Sequence, residues 1–225
     1  MKVLGKLFFV LCFLALGASA TAQLSIGPRA GINLAKWAGD EEFESDFEDI
    51  QNRLSLLFGA VAEIRMNDNF AIQPELNFIQ KGFKVEDTYD DQGVMVTEEF
   101  SIIMNYLEIP VMLKGGVSFG PGRFDVLAGP SLGYALNGKF KYKYTFGGET
   151  ETETEDMDFD EDEVSRIDFG LQFGGAFSFK LGETATLFAD ARYLLGLSNL
   201  NDSADDSISA NNRGIAISVG ALFPL

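Results

Sequence analysis

Residues 166–181 read RIDFGLQFGGAFSFKL, and apolar side chains occupy almost every second position of this segment. Ile167, Phe169 and Phe173 share one parity, whereas Arg166 and Asp168 begin the polar parity. A period of two is typical of a β-strand with one apolar and one polar face. The segment predicts an all-β protein, and the rest of the chain repeats its pattern less regularly.

Seven further segments alternate in this way and predict seven further strands. They begin near Leu24, Leu54, Phe70, Leu107, Phe124, Leu187 and Ile215. A few apolar residues fall on the wrong parity, namely Leu57, Val61, Met112, Phe188 and Leu194. Short turns at 67–69, 120–122 and 182–184 alternate with long connections at 37–53, 84–100, 147–165 and 198–212. This alternation predicts an eight-stranded antiparallel up-and-down transmembrane β-barrel, with the long loops at one end.

The amino terminus has the layout of a cleavable export signal: two lysines, an apolar run and then small residues. We place the signal at residues 1–22 and the barrel domain at 23–225, with cleavage after Ala22. Cleavage after Ala20 fits the small-residue rule equally well. A membrane-anchoring helix is the alternative, but the apolar run is shorter than the roughly 20 residues that cross a bilayer. Cys12, the only cysteine, lies within this signal.

The chain is acidic, with 34 acidic and 17 basic residues and a formal net charge of −17. The signal contains two lysines and no acid, so its removal leaves a charge of −19. Such a chain is not expected to bind nucleic acid, whose phosphates require Lys and Arg.

Most of the acidic residues, 26 of the 34, fall in the four long loops. We interpret them as solvated surface charge, with weak, millimolar-range binding of divalent cations at most. The spacing of Asp156, Asp158 and Asp160 resembles a calcium loop, but Glu161 occupies the position that requires glycine.

Parity alone does not say which face of the barrel points inward, and a soluble barrel with an apolar interior is the alternative. Three features favour a membrane barrel. The polar parity is rich in glycine and carries balanced charges, which suits a narrow lumen filled by ion pairs. Aromatic residues gather near both predicted interfaces, as Phe70, Phe124, Phe179 and Phe223 at the turn end and Trp37, Tyr142 and Tyr144 at the loop end. The charged residues of the polar parity are Arg29, Glu63, Arg65, Glu75, Lys81, Glu108, Lys114, Asp125, Arg166, Asp168, Asp190 and Arg192.

The sequence contains no histidine, and no cysteine remains after cleavage. Imidazole-based triads and the usual zinc and haem sites are therefore excluded. Pairs of carboxylates can hydrolyse a glycoside, and the inward candidates are Glu63, Glu75, Glu108, Asp168 and Asp190. We interpret these residues as salt-bridged lumen packing. The chain is thus predicted not to be an enzyme, with no catalytic, cofactor-binding or metal-binding residue and no cofactor.

Three motifs carry a resemblance to a known family: GPRAGIN at 27–33, QPEL at 73–76 with QKG at 80–82, and NYLEIPV at 105–111. They are similar to the PorT-like outer-membrane β-barrel domain family of Bacteroidetes-type bacteria. The final residues 218–225, SVGALFPL, are similar to the terminal insertion signal of outer-membrane barrels, although Pro224 is unusual there. The resemblance implies localisation in the cell outer membrane, and the namesake of the family is tied to secretion of cell-surface proteins.

We therefore expect an outer-membrane structural or interaction protein with a narrow, ion-pair-filled lumen and acidic extracellular loops, linked through the resemblance to cell-surface protein secretion. A binding or transport module for a small solute is the alternative. The expected partners are outer-membrane lipid and lipopolysaccharide, the outer-membrane assembly machinery and secretion-complex proteins, with weakly bound divalent cations at the acidic loops.

Overall fold

The computed structural model describes residues 23–39, 50–201 and 209–225, and its strands all pair antiparallel. The predicted signal, residues 1–22, lies outside the described residues. No helix long and apolar enough to cross a membrane is found in the described ranges. The strands are β1 (Gln23–Gly39), β2 (Arg53–Arg65), β3 (Phe70–Asp91), β4 (Val94–Phe119), β5 (Gly122–Phe146), β6 (Glu149–Asp156), β7 (Ile167–Leu181), β8 (Ala185–Gly196) and β9 (Ala210–Pro224).

The strand pairing forms a closed circuit. It runs through β1, β2, β3, β4, β5, β7, β8 and β9 and returns to β1. β6 is not part of this circuit, because within the described residues it pairs only with the last part of β5. The all-β antiparallel prediction is confirmed, but the described chain has nine strands where the sequence predicted eight.

Two predicted loops are largely strand. β3 and β4 continue through residues 84–100 and meet at a two-residue turn, where Gln92 (φ 55°) and Gly93 (φ 90°) both have positive φ. Likewise β5 and β6 meet at Gly147 (φ 57°) and Gly148 (φ 89°). Positive φ at both central residues is the geometry of the tight hairpin turn that matches strand twist. The loop predictions for 84–100 and for 147–156 were therefore wrong, because acidic composition was read as irregular structure.

The two faces of the sheet have opposite character. On β7, Asp168 and Gln172 are buried, whereas Phe169, Phe173 and Phe177 are 40%, 48% and 46% exposed. The polar parity therefore points into the closed sheet and the apolar parity points out, as predicted for a membrane barrel.

Apolar residues on the wrong parity fill two layers of the interior. Near the turn end, Val61 packs with Phe188 and Leu222, and Met112 packs with Leu127 and Ala176. A larger cluster near the loop end includes Leu57 and Leu194. These breaks in the alternation are therefore apolar lumen contacts.

The loop-end aromatic girdle was predicted incorrectly. Trp37 is only 7% exposed and packs against Phe83 inside the sheet, with ring centroids 5.1 Å apart. Tyr142 is exposed, but its ring lies beside the ring of Phe100. Phe100 in turn packs on Phe83 inside the sheet, so Tyr142 faces the mouth of the closed sheet. At the turn end, Phe70 and Phe124 are exposed on the outer face as predicted.

Candidate functional site

An ionic cluster crosses the middle of the interior and ties four strands together. Arg29 on β1 pairs with Glu75 on β3 and, at 3.1 Å, with Asp190 on β8. Arg192 pairs with the same two carboxylates at 2.8 and 3.1 Å. Arg29 also donates to the hydroxyl of Ser218 on β9, at 2.6 Å. We call these four charged residues the central cluster.

A second cluster lies between the central cluster and the loop end. The Lys81 ammonium contacts Glu108 at 2.5 Å and Asp168 at 2.8 Å. Gln172 donates to Glu108 at 2.8 Å, and Asn212 donates to Asp168 at 2.9 Å. One lysine therefore forms ion pairs with two buried carboxylates, and each carboxylate also accepts a hydrogen bond from an amide side chain.

A third cluster lies at the turn end. Lys114 and Arg65 both contact Glu63 at 2.6 Å. Arg123 contacts Asp125 at 2.7 Å and donates to the backbone carbonyl of Asn69 at 3.0 Å, which ties the β2–β3 turn to the lumen. Sequence reasoning missed Arg123, although it lies two residues before Asp125 and therefore shares its inward parity.

Ten of the twelve charged residues predicted to point inward are buried in these clusters. Arg65 is only partly buried, and Arg166 lies outside the clusters with its guanidinium 4.1 Å from the centre of the Phe159 ring. The five carboxylates considered for hydrolysis, Glu63, Glu75, Glu108, Asp168 and Asp190, each have a cationic partner.

The cavity beside the second cluster is small. The cavity beside Lys81, Glu108 and Asp168 measures about 10 Å³, which is the room needed by about one water molecule. No group of three or more potential metal ligands is found in the residues that the structure describes. This cavity therefore has no room for a substrate of ordinary size.

An apolar cluster covers the lumen at the loop end, and we call it the apolar cap. Met157, Phe159 and Leu200 lie outside the strands, yet they are 7%, 3% and 1% exposed. They pack with inward residues of the barrel wall such as Ile102 and Tyr106. The cap places an apolar layer between the Lys81 cluster and the solvent at the hairpin end.

The hairpins beyond the apolar cap carry partly and fully exposed charges. Burial would raise the pKa of Glu99, but its ion pairs with Lys143 at 2.7 Å and Lys84 at 4.0 Å outweigh this effect and lower the pKa. Tyr89 donates a hydrogen bond to Glu98 at 2.8 Å, which raises the pKa of Tyr89 to about 12.

The acids that resembled a calcium loop have other partners. Asp156 pairs with Lys139 at 3.3 Å, and Asp158 accepts hydrogen bonds from the backbone of Asp160 and Glu161. Asp158 therefore stabilises its own turn.

An antiparallel sheet that closes on itself, with an apolar exterior and an ionic interior, is the arrangement of a β-barrel membrane protein. The family of outer membrane protein beta-barrel domains matches residues 18–202, and the chain belongs to this family. Membership confirms the general family resemblance and the outer membrane as its location. The PorT-like assignment stays a prediction.

The chain is also similar to several solved structures. Neisserial surface protein A is 15% identical, with a TM-score of 0.44 over 89% of this chain and 96% of that one. A major outer membrane protein from Thermus thermophilus is 12% identical, with a TM-score of 0.43 over 92% and 100%. The attachment invasion locus protein Ail of Yersinia pestis is 13% identical, with a TM-score of 0.38 over 91% and 97%. No curated protein matches the chain.

Proposed function

We propose that the chain is an eight-stranded transmembrane barrel with a closed lumen, acting as a structural or interaction protein that presents hairpins at the cell surface. The circuit of eight paired strands supports the strand number, with β6 as an extension outside it. Both ends of the barrel domain lie at the turn end, where the Leu225 amide donates to the Leu24 carbonyl at 2.9 Å. Short periplasmic turns and long outer connections are the usual orientation.

The observation that carries this proposal is the packing of the lumen by ion pairs, with a cavity of only about 10 Å³ beside Lys81, Glu108 and Asp168. An interior of eight strands is just wide enough to be filled by side chains. Planar-bilayer recording of the purified chain is expected to show no steady current. A steady, ion-selective current would instead favour the alternative, a small-solute pore.

Membrane integration and orientation need their own test. The folded chain is expected to migrate differently from the heated chain on a detergent gel, and protease added to whole cells is expected to cut at 147–165. Recovery as a soluble periplasmic monomer, or cleavage only after cell lysis, would contradict the proposal.

A link to cell-surface protein secretion is the finer proposal, supported by the resemblance to the PorT-like family. Chemical crosslinking in intact cells, followed by purification of the barrel, is expected to recover secretion-complex proteins. Unchanged surface-protein secretion in a deletion strain would contradict this link and leave the structural role unaffected.

We also propose that the chain has no enzymatic activity, since the candidate carboxylates are all ion-paired.

A further inference from the structure

The register between β5 and β6 separates two kinds of side chain. Glu151, Glu153 and Glu155 lie directly across from Tyr144, Tyr142 and Phe140, respectively. Side chains opposite one another in an antiparallel pair share a face. One face of the hairpin therefore has a row of aromatic rings beside a row of glutamates, and we call it the acid–aromatic face. Its members are Phe140, Tyr142, Tyr144, Phe146, Glu149, Glu151, Glu153 and Glu155.

The lysines of β5 point to the opposite face. Lys141 and Lys143 lie across from Thr154 and Thr152, and only Lys139 lies across from an acid, Asp156. A shift of one residue would place the glutamates on the lysine face, because side-chain direction alternates along a strand. The observed register does not use the glutamates to neutralise the neighbouring lysines. Within the part of the chain that the structure describes, these glutamates have no ion-pair partner.

The acid–aromatic face is accessible. Tyr142, Tyr144 and Phe146 are 48%, 43% and 44% exposed, and every residue of β6 is exposed. At the end of this face nearest the apolar cap there is a cavity of about 370 Å³, lined by Phe140, Tyr142, Glu155 and neighbouring acids. Aromatic faces attract ammonium and guanidinium groups, and carboxylates pair with them. Arg166 over the Phe159 ring shows the same contact within the chain.

Within the described ranges, β6 also has one edge without a partner strand, and we call it the free edge. Among the described residues it pairs with β5 alone, so its other side presents backbone donors and acceptors over eight residues. An extended peptide can add to such an edge as a further strand. A second copy of β6 is a poor match, because like charges directly opposite one another destabilise a strand pair.

We propose that the free edge of β6 binds an extended peptide carrying Lys or Arg at every second residue, added as a strand beside the glutamates. This inference rests on the proposed function only for its location at the cell surface. Alternate residues of a strand repeat every ~6–7 Å, so basic residues spaced by two match the glutamate row. The backbone supplies hydrogen bonds, and the glutamates select the charge.

Binding of fluorescent peptides to the folded full chain in detergent micelles tests this proposal by anisotropy at physiological ionic strength. The probes are an alternating Lys-Ser peptide as long as β6, eight residues, and a block peptide of the same composition. The alternating peptide is expected to bind about tenfold more tightly, and to slow hydrogen exchange at alternate β6 amides. Equal affinity of the two peptides would overturn the proposal, as would spermidine competing as well as the peptide.

The variant E151Q/E153Q/E155Q removes three charges from the acid–aromatic face and is expected to weaken the alternating peptide about tenfold. The matched control D91N/D160N/E163Q removes the same charge elsewhere on the exposed hairpin end and is expected to change affinity less than about twofold. Equal weakening by both variants would mean diffuse charge attraction and would overturn the proposal. Heat-modifiable migration of each variant reports on the barrel separately, so lost peptide binding in an intact barrel leaves the proposed function standing.

Discussion

The lumen and the β5–β6 hairpin hold charge in opposite ways. In the lumen, each carboxylate of the central cluster contacts an arginine and is almost fully buried. On the hairpin, the four glutamates of β6 are exposed and the register turns them away from the lysines of β5. Buried charge must be paired to be tolerated, whereas exposed charge gains little from pairing. The difference indicates that lumen charge fixes the barrel, while hairpin charge remains available to a partner.

Removing the lysine from a buried cluster should have the largest effect on stability. Lys81→Met leaves Glu108 and Asp168 buried without their cation, which is expected to lower the free energy of unfolding by about 3–5 kcal/mol. Urea unfolding in detergent micelles, followed by fluorescence of Trp37 in the apolar cap, measures it. The control is Lys84→Met, whose partners are partly exposed and whose effect should be about 1 kcal/mol or less. Equal losses of unfolding free energy in Lys81→Met and Lys84→Met would contradict the difference between buried lumen charge and hairpin charge.

Truncation of a side chain in the apolar cap should have the second-largest effect on stability. Leu200→Ala removes a side chain that is 1% exposed and is expected to cost about 2–4 kcal/mol in the same urea experiment. The neighbouring Leu197 is 50% exposed, so Leu197→Ala should change stability by about 0.5 kcal/mol or less. If Leu200→Ala proved as mild as its control, the cap would not be a packed layer.

For the strands of the closed circuit, away from the loop end, the sequence predicted which face points inward, because a period of two has only one inward parity once the solvent is known. It also predicted most of the ionic interior, since Arg29, Glu75 and Asp190 share that parity with their neighbours. It could not predict which charges meet, because the pairing of Arg29 with Asp190 depends on a closure between strands that are far apart in sequence.

The hairpins were missed for a different reason. Glu149–Asp156 alternates glutamate with threonine, and both residues are polar, so the alternation gives no hydrophobic signal. The two-residue turn at Gly147 and Gly148 was the available clue, since glycine pairs favour tight hairpins. The apolar cap left a weaker clue, because Met157 and Phe159 are apolar residues within an acidic segment.

A partly exposed ion pair should make the stability of the hairpin weakly pH-dependent. The pKa of Glu99 is lowered in the folded chain. The contribution of Glu99 to folding stability is therefore present above the ordinary carboxyl pKa and is lost as the pH falls through the lowered pKa. The Glu99–Lys143 pair should be worth about 0.2–1 kcal/mol. Hydrogen exchange along the upper part of β4 and β5, measured as the pH is lowered, tests this contribution. Glu99→Gln should remove that part of the pH dependence, and an unchanged profile would contradict the assignment.

The smallest effect belongs to Tyr89, whose hydroxyl donates to Glu98 on the neighbouring strand. This hydrogen bond stabilises the protonated phenol, so the pKa of about 12 should fall toward 10 in Glu98→Gln. The pKa of Tyr89 is measured by ultraviolet titration, as the difference between the wild type and Tyr89→Phe. The same difference is then measured in the Glu98→Gln background. Because Tyr89 is exposed, Tyr89→Phe should leave urea unfolding unchanged, in contrast to Lys81→Met. A tyrosine that titrates normally beside Glu98 would mean that the β3–β4 hairpin does not hold its register in solution.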